Sequence, residues 1–181
     1  SQSREFNLSG AEVIVFQADV SDVEQVAQIL ATIEESLPPL RGIIHSANVL
    51  DDDILPQQNW ERFKRVMSPK VQGSWHLHTL TQNLPLDFFV LFSSVASVLG
   101  CSGQANYSAA NAFLDALAYY RRAQGLAGLS INWGAVAEVG VDANRQAGER
   151  IKAQEIPTIA PQQVLEALEQ LFSQSSVQVC V

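Results

Sequence analysis

The chain has 181 residues, is 47% hydrophobic and carries a formal net charge of −8. That length can bury one core without staples, and the acidic balance disfavours nucleic acid and anionic membrane as partners. No run approaches the roughly 18 apolar residues of a membrane span, and the first residues lack the apolar centre of a signal peptide. Cys101 and Cys180 have no zinc-like neighbours, and His45, His76 and His78 lack metal-site spacing, so no disulfide scaffold and no metal are expected. A reducing, cytoplasmic setting fits this cysteine usage.

The elements follow in chain order. Residues 13–18 are a β-branched apolar run and read as a strand buried on both faces. Ser21, with Glu24 three residues on, predicts a capped helix over 22–35. A short strand is expected at 40–45 and a loop at 46–56. Trp60, Phe63, Val66 and Met67 recur at helical spacing, Pro69 interrupts or kinks the segment, and Val71, Trp75, Leu77 and Leu80 continue it. Residues 88–92 are the strongest central-strand signal and run into Ser93 and Ser94. A helix is expected over 106–124, a strand at 129–133, a lid-like mobile stretch at 134–160, a helix after Pro161 and a closing strand at 177–181. This alternation predicts parallel strands with covering helices, whose ligand site lies at the carboxyl ends of the strands. Asp19, His45, Ser93, Ser94 and Asn132 end those runs and are expected to converge there.

Tyr107 and Asn111 are four apart near a helix start and share a face. Ser94 lies just past a buried strand, and Lys70 lies on the preceding helical segment. Taken singly, each reads most simply as a packing, capping or solvated residue. Together they supply a phenol, a hydroxyl, an ammonium and an amide, the set that reduction of a ketone needs besides a hydride donor. Ser94 and Tyr107 can hydrogen-bond the oxygen on which charge develops, and Tyr107 can protonate it. A free phenol titrates near about 10, and a cation such as Lys70 favours the phenolate. Asn111 is read as ordering a water or the backbone.

The stretch FSSVASVLGCSGQANYSAANAFLD at 92–115, with KVQGSWHLH at 70–78 and SINWG at 130–134, resembles the short-chain dehydrogenase/reductase superfamily. Within it the chain is most similar to ketoreductase domains of type I modular polyketide synthases. Most superfamily members carry a lysine four residues after the tyrosine. Here Asn111 stands there and the lysine comes earlier, at Lys70, an exchange typical of polyketide and animal-type fatty acid synthase ketoreductases. The resemblance implies a Rossmann-like doubly wound parallel sheet and a catalytic tetrad of Ser94, Tyr107, Lys70 and Asn111. It implies NADPH as cofactor, with Asp19 and Val20 beside the adenine and His45, Ser46, Ala47 and Asn48 packing against it. Tyr107, Lys70, Trp133 and Gly134 are also expected to contact the cofactor. Asn48 replaces the usual glycine of that loop, and Val136 replaces a frequent tryptophan. Leu50-Asp51-Asp52 matches the motif of B-type ketoreductases, which resemble one another in making the D-configured (R) β-hydroxyl. The resemblance further implies an acyl carrier protein that presents a β-ketoacyl group on a phosphopantetheine arm, with neighbouring synthase domains as partners.

No G-x-G-x-x-G occurs in the sequence, although the first β-α unit of this fold normally cradles the pyrophosphate with one. Residues 1–181 are therefore expected to be the C-terminal, catalytic portion of one ketoreductase domain. The first two strands are expected on an N-terminal portion outside this sequence, and NADPH binding by this chain alone is expected to be weak. Two alternatives stand beside this reading: a stand-alone reductase of a small ketone or CoA thioester, and a non-catalytic structural fragment.

Overall fold

The computed structural model describes residues 10–136 and 158–181. Helix α1 spans Val23–Ser36, strand β1 Gly42–His45 and helix α2 Trp60–Met67. A π-helical turn, Ser68–Gln72, leads into α3, Gly73–Thr81. Strand β2 (Phe88–Ser94), the one-turn α4 (Ala96–Leu99), α5 (Ala105–Ala123), β3 (Leu129–Trp133), α6 (Pro161–Phe172) and β4 (Gln178–Cys180) complete the described chain. The strands form one sheet in the order β1-β2-β3-β4, and every neighbouring pair is parallel.

Parallel strands need cover on both faces, so their sequences are apolar on both sides. β2 shows why. Its alternate residues Phe89 and Leu91 pack under Leu114, Leu117 and Ala118 of α5. Val90 points to the other face and packs with Ile131, Trp133 and Leu171 of α6. The doubly wound arrangement expected from the alternating pattern is therefore present. Its carboxyl-end rim is formed where His45, Ser94 and Trp133 end their strands.

Pro69 explains the π turn. Proline has no N–H to donate and its ring crowds the carbonyl four residues back. A wider turn relieves both demands and lets the helical path continue into α3. Gly73 sits just after it, where an added Cβ would lie 2.7 Å from Val20 Cγ1. That close approach seats the Asp19-Val20 corner directly against the segment that carries Lys70.

Two expectations are corrected, and a third falls mostly outside the described residues. Residues 13–18 are not a strand: Val15 is 78% exposed, and Val13, Ile14 and Phe16 are exposed too. Strand propensity needs a hydrogen-bonding neighbour to be realised, and among the described residues no strand lies beside this run. Ser21 is not the cap of α1. The Asp22 carboxylate accepts from the Glu24 and Gln25 N–H groups, while the Ser21 hydroxyl turns to Asp19 Oδ1 at 2.7 Å. A carboxylate at the helix start satisfies the free N–H groups and also suits the helix dipole. Most of the stretch expected as a lid, 137–157, lies outside the described residues. Its flanks meet in a parallel bridge between Val136 and Ile159.

Gly128 shows how tightly β3 is fed from α5. A Cβ there would lie 2.8 Å from the Ala118 carbonyl oxygen and 3.2 Å from Arg121 Cβ. Gly128→Ala is expected to destabilise the protein by about 1–3 kcal/mol through overpacking, read as a lowered Tm in thermal unfolding. An unchanged Tm would show that α5 and β3 can separate there without cost.

Candidate active site

The site is built around the Tyr107 phenol. Tyr107 lies in the first turn of α5, is 9% exposed, and packs with Val66, Ala96 and Ala110, flanked by Leu50, Met67 and Cys101. Asn106 fixes the start of the helix, its Oδ1 accepting from the Tyr107 N–H at 2.8 Å. One turn on, Asn111 donates from Nδ2 to the Tyr107 carbonyl at 2.8 Å. Ser94 ends β2, and its Oγ accepts from the Ala96 N–H at 3.2 Å, a short turn at the strand end. Burial raises the Tyr107 pKa, and hydrogen bonding with the Ser94 and Asn111 side chains pulls the other way.

Lys70 projects from the π turn and is 2% exposed. Its Nζ donates to the Phe92 carbonyl at 2.9 Å and lies 5.5 Å from the Tyr107 ring centre. Burial pushes the ammonium down to about 8, and the Asp115 carboxylate opposes that shift. The sequence suggested that Lys70 would lower the phenol. Here burial of the phenol outweighs any such help, and the Lys70 proton is directed to a backbone carbonyl of β2. His45, at the end of β1, is held down to about 4 by burial and by the Lys70 charge. It is neutral near pH 7, and its buried Nε2 meets no hydrogen-bond partner.

The four tetrad candidates therefore come together from β2, the π turn and α5. Asp51 and Asp52, readable as a solvated acidic loop, are instead clamped. Asp51 pairs with Arg62 and Arg65 of α2, each at 2.5 Å, and Arg62 also pairs with Asp53. Arg62 Nη2 donates to the Asp52 carbonyl at 3.0 Å. From the other side, Gln104 Nε2 donates to Asp52 Oδ2 at 3.0 Å and Asn106 Nδ2 to the Asp51 carbonyl at 2.8 Å. These bonds fasten the Leu50–Asp52 corner to the residues immediately before Tyr107 and lay Leu50 against the phenol's packing cluster.

The cofactor-side candidates divide. Asp19, Val20, Ala47 and Asn48 line one open groove of about 650 Å³ together with Gln17, Ala18, Gln25, Val49 and Pro69. Asp19 accepts from the Ser21 N–H and hydroxyl, which holds its carboxyl below the usual range. Trp133 is 6% exposed and packs on Phe92 at 5.5 Å on the α6 side, so its ring is core. Gly134 N–H donates to the Val181 carbonyl at 2.9 Å. Both serve to close β3 against α6 and β4. Asn132, expected at the rim, is fully buried beneath it and donates to Ser93 Oγ at 3.1 Å.

Two residues went unread in the sequence. Arg62 had no visible signal, because its partners lie across a loop. Asp115 had one: it falls eight residues after Tyr107 and four after Asn111, on the same helix face.

Residues 1–138 match the KR domain family. The chain is 48% identical over 130 residues to the phenolphthiocerol synthesis polyketide synthase type I Pks15/1 of Mycobacterium marinum, which covers 72% of this chain and 6% of that protein. It is 41% identical over 169 residues to the compactin diketide synthase mlcB of Penicillium citrinum, covering 92% of this chain and 6% of that protein. Among solved structures it is similar to an A-type ketoreductase from a modular polyketide synthase, with a TM-score of 0.92 at 37% identity, covering 98% of this chain and 38% of that one. The chain thus spans a small part of these synthases and over a third of the solved ketoreductase. A parallel sheet of short-chain dehydrogenase/reductase type, a phenol ringed by hydroxyl, ammonium and amide, and a family match over residues 1–138 lead to one assignment: the chain belongs to the KR domain family.

Proposed function

We propose that this chain holds and protonates the substrate in an NADPH-dependent reduction of a β-ketoacyl thioester, carried on an acyl carrier protein within a polyketide synthase, to the D-configured β-hydroxyacyl thioester. The observation that carries this reading is the meeting of Ser94, Tyr107, Lys70 and Asn111 around one buried phenol.

The chemistry follows from charge. As the ketone carbon gains hydride, its oxygen becomes an alkoxide. Ser94 Oγ, at the strand end, donates a hydrogen bond to that oxygen. Tyr107 gives it the phenolic proton. The raised pKa of the phenol keeps that proton in place at neutral pH, as a general acid requires. The phenolate left behind is stabilised by the Lys70 ammonium, a charge worth more in this buried site than in water. Asn111 holds the first turn of α5 through the Tyr107 carbonyl and so sets the direction of the phenol.

NADPH, when bound, supplies the hydride. The residues present fit its adenosine end: Asp19, Val20, Ala47 and Asn48 already line a groove, Asp19 presents a carboxylate, and the unpartnered His45 Nε2 lies at the adjoining strand end. Ser46 completes that loop. The D-configured reading is supported by the resemblance of Leu50-Asp51-Asp52 to the motif of B-type ketoreductases; these residues are clamped near the Tyr107 cluster.

Tyr107→Phe is expected to lower kcat by roughly 10²–10⁴-fold, with NADPH binding, followed by nucleotide fluorescence, retained. Equal activity in that variant would exclude Tyr107 as the acid. The rate also carries a pH signature. Tyr107 stays protonated through neutral pH, and Lys70 loses its proton near pH 8. The kcat is therefore expected to be high below pH 8 and to fall as pH rises through it. Lys70→Arg should push the fall to higher pH, because guanidinium keeps its charge. Chiral analysis of the product checks the stereochemical reading: mainly L-alcohol would overturn it.

A further inference from the structure

We infer that Asp115 is a positioning residue for this reduction: its buried carboxylate ties the Ser94 turn, α5 and β3 into one rigid unit. The inference rests on the reductive reading above.

Asp115 is 9% exposed, and both of its oxygens are engaged. Oδ1 accepts from the Ser130 hydroxyl at 2.6 Å, and Oδ2 accepts from the Ser97 hydroxyl at 2.6 Å. Asn132 Nδ2 lies 3.0 Å from each oxygen. Three donor groups thus converge on one carboxylate: the two serine hydroxyls and the Asn132 amide, which bridges both oxygens. The Asn132 amide cannot turn over, because its Oδ1 accepts from Gln178 Nε2 at 2.9 Å. Short hydroxyl-to-carboxylate bonds of this kind are charge-assisted and geometrically strict.

These donors belong to the site's supports. Ser97 Oγ lies 2.8 Å from the Ser94 carbonyl, and Asn132 Nδ2 lies 3.3 Å from that same oxygen. Asn132 also reaches Ser93 Oγ, which donates to the Asn111 carbonyl at 3.2 Å. A core that needed only packing would place an apolar residue at position 115, as α5 does at Leu114 and Leu117. A buried carboxylate without an arginine or lysine salt bridge among the described residues is costly unless its charge is used. Its charge also raises the Lys70 pKa against the burial that lowers it. The titratable groups that face Lys70 are His45 from β1, which is neutral near pH 7, and Tyr107 and Asp115 from α5. Asp115 alone among them brings a negative charge before reaction.

The test measures kcat, KM for NADPH and the pH dependence of kcat in the intact protein, with a β-ketoacyl N-acetylcysteamine thioester as the probe. Asp115→Asn removes the charge and keeps the shape. It is expected to lower kcat roughly tenfold or more with KM for NADPH little changed, and to move the alkaline fall in rate to lower pH. Combining Asp115→Asn with Lys70→Arg should abolish that pH shift, since the cation then no longer titrates in this range. Ser97→Ala cuts the link between the carboxylate and the Ser94 turn while leaving the charge. It should lower kcat with the pH profile in place, and it decides the matter if Asp115→Asn fails to fold. Unchanged kcat and pH profile in folded Asp115→Asn, or unchanged kcat in Ser97→Ala, overturns the role of Asp115 and leaves the reductive reading intact. No reduction by the unsubstituted protein overturns both.

Discussion

A lysine ammonium enclosed by protein, with one backbone carbonyl as its hydrogen-bond acceptor, is the constraint to which the rest of this structure answers. Lys70 is 2% exposed and donates to the Phe92 carbonyl. Removing a charge from water is unfavourable unless neighbouring dipoles and charges replace the lost solvation. The fold supplies them by converging three elements. Proline at position 69 opens the helix into a π turn that swings Lys70 inward. β2 offers a carbonyl near its end, and α5 brings the Tyr107 ring to 5.5 Å and a carboxylate whose charge opposes the burial of the ammonium. The ammonium is left close to neutrality, with a pKa of about 8, where it can answer a phenolate formed beside it.

The apolar architecture holds these groups in register. Phe89 and Leu91 bind α5 to one face of the sheet, while Val90 and Ile131 bind α6 to the other. Because the strands are parallel, their carboxyl ends lie together, and the residues that end them share one rim. The buried polar layer under that rim is the unusual part of the core. Ser93, Ser97, Ser130, Asn132 and Asp115 form a connected network within an otherwise apolar interface. A network satisfied in this way specifies one geometry more sharply than packing does, since each donor has one acceptor direction.

The loop after β1 is governed by charge in a second manner. Three consecutive aspartates would repel one another and remain in solvent if left alone. Arg62 and Arg65 neutralise them from α2, and Gln104 and Asn106 bind them from the approach to α5. The exposed Arg65 pair adds modest stability, and the bonds from the half-buried Arg62 fix where the backbone of 51–53 runs. Leu50 is carried with that backbone against the Tyr107 cluster. The wall beside the Tyr107 cluster is thus shaped by an ion-pair clamp and not by apolar packing alone.

Much of this was legible in the sequence. Apolar period and length placed β2, β3, α5 and α6 to within a residue or two, since their burial follows directly from local pattern. The spacing of Tyr107 and Asn111 put both on one helix face, and Pro69 announced the break that became the π turn. Residues 13–18 show the limit of such reading: their β-branched content is real, but a strand exists only where another strand pairs with it, and pairing is not local. The direction of the Tyr107 shift, the Arg62 clamp and the convergence of three donors on Asp115 were decided only by tertiary structure. Desolvation and hydrogen bonding depend on what surrounds a group in space, and those surroundings come from residues tens of positions away in the chain.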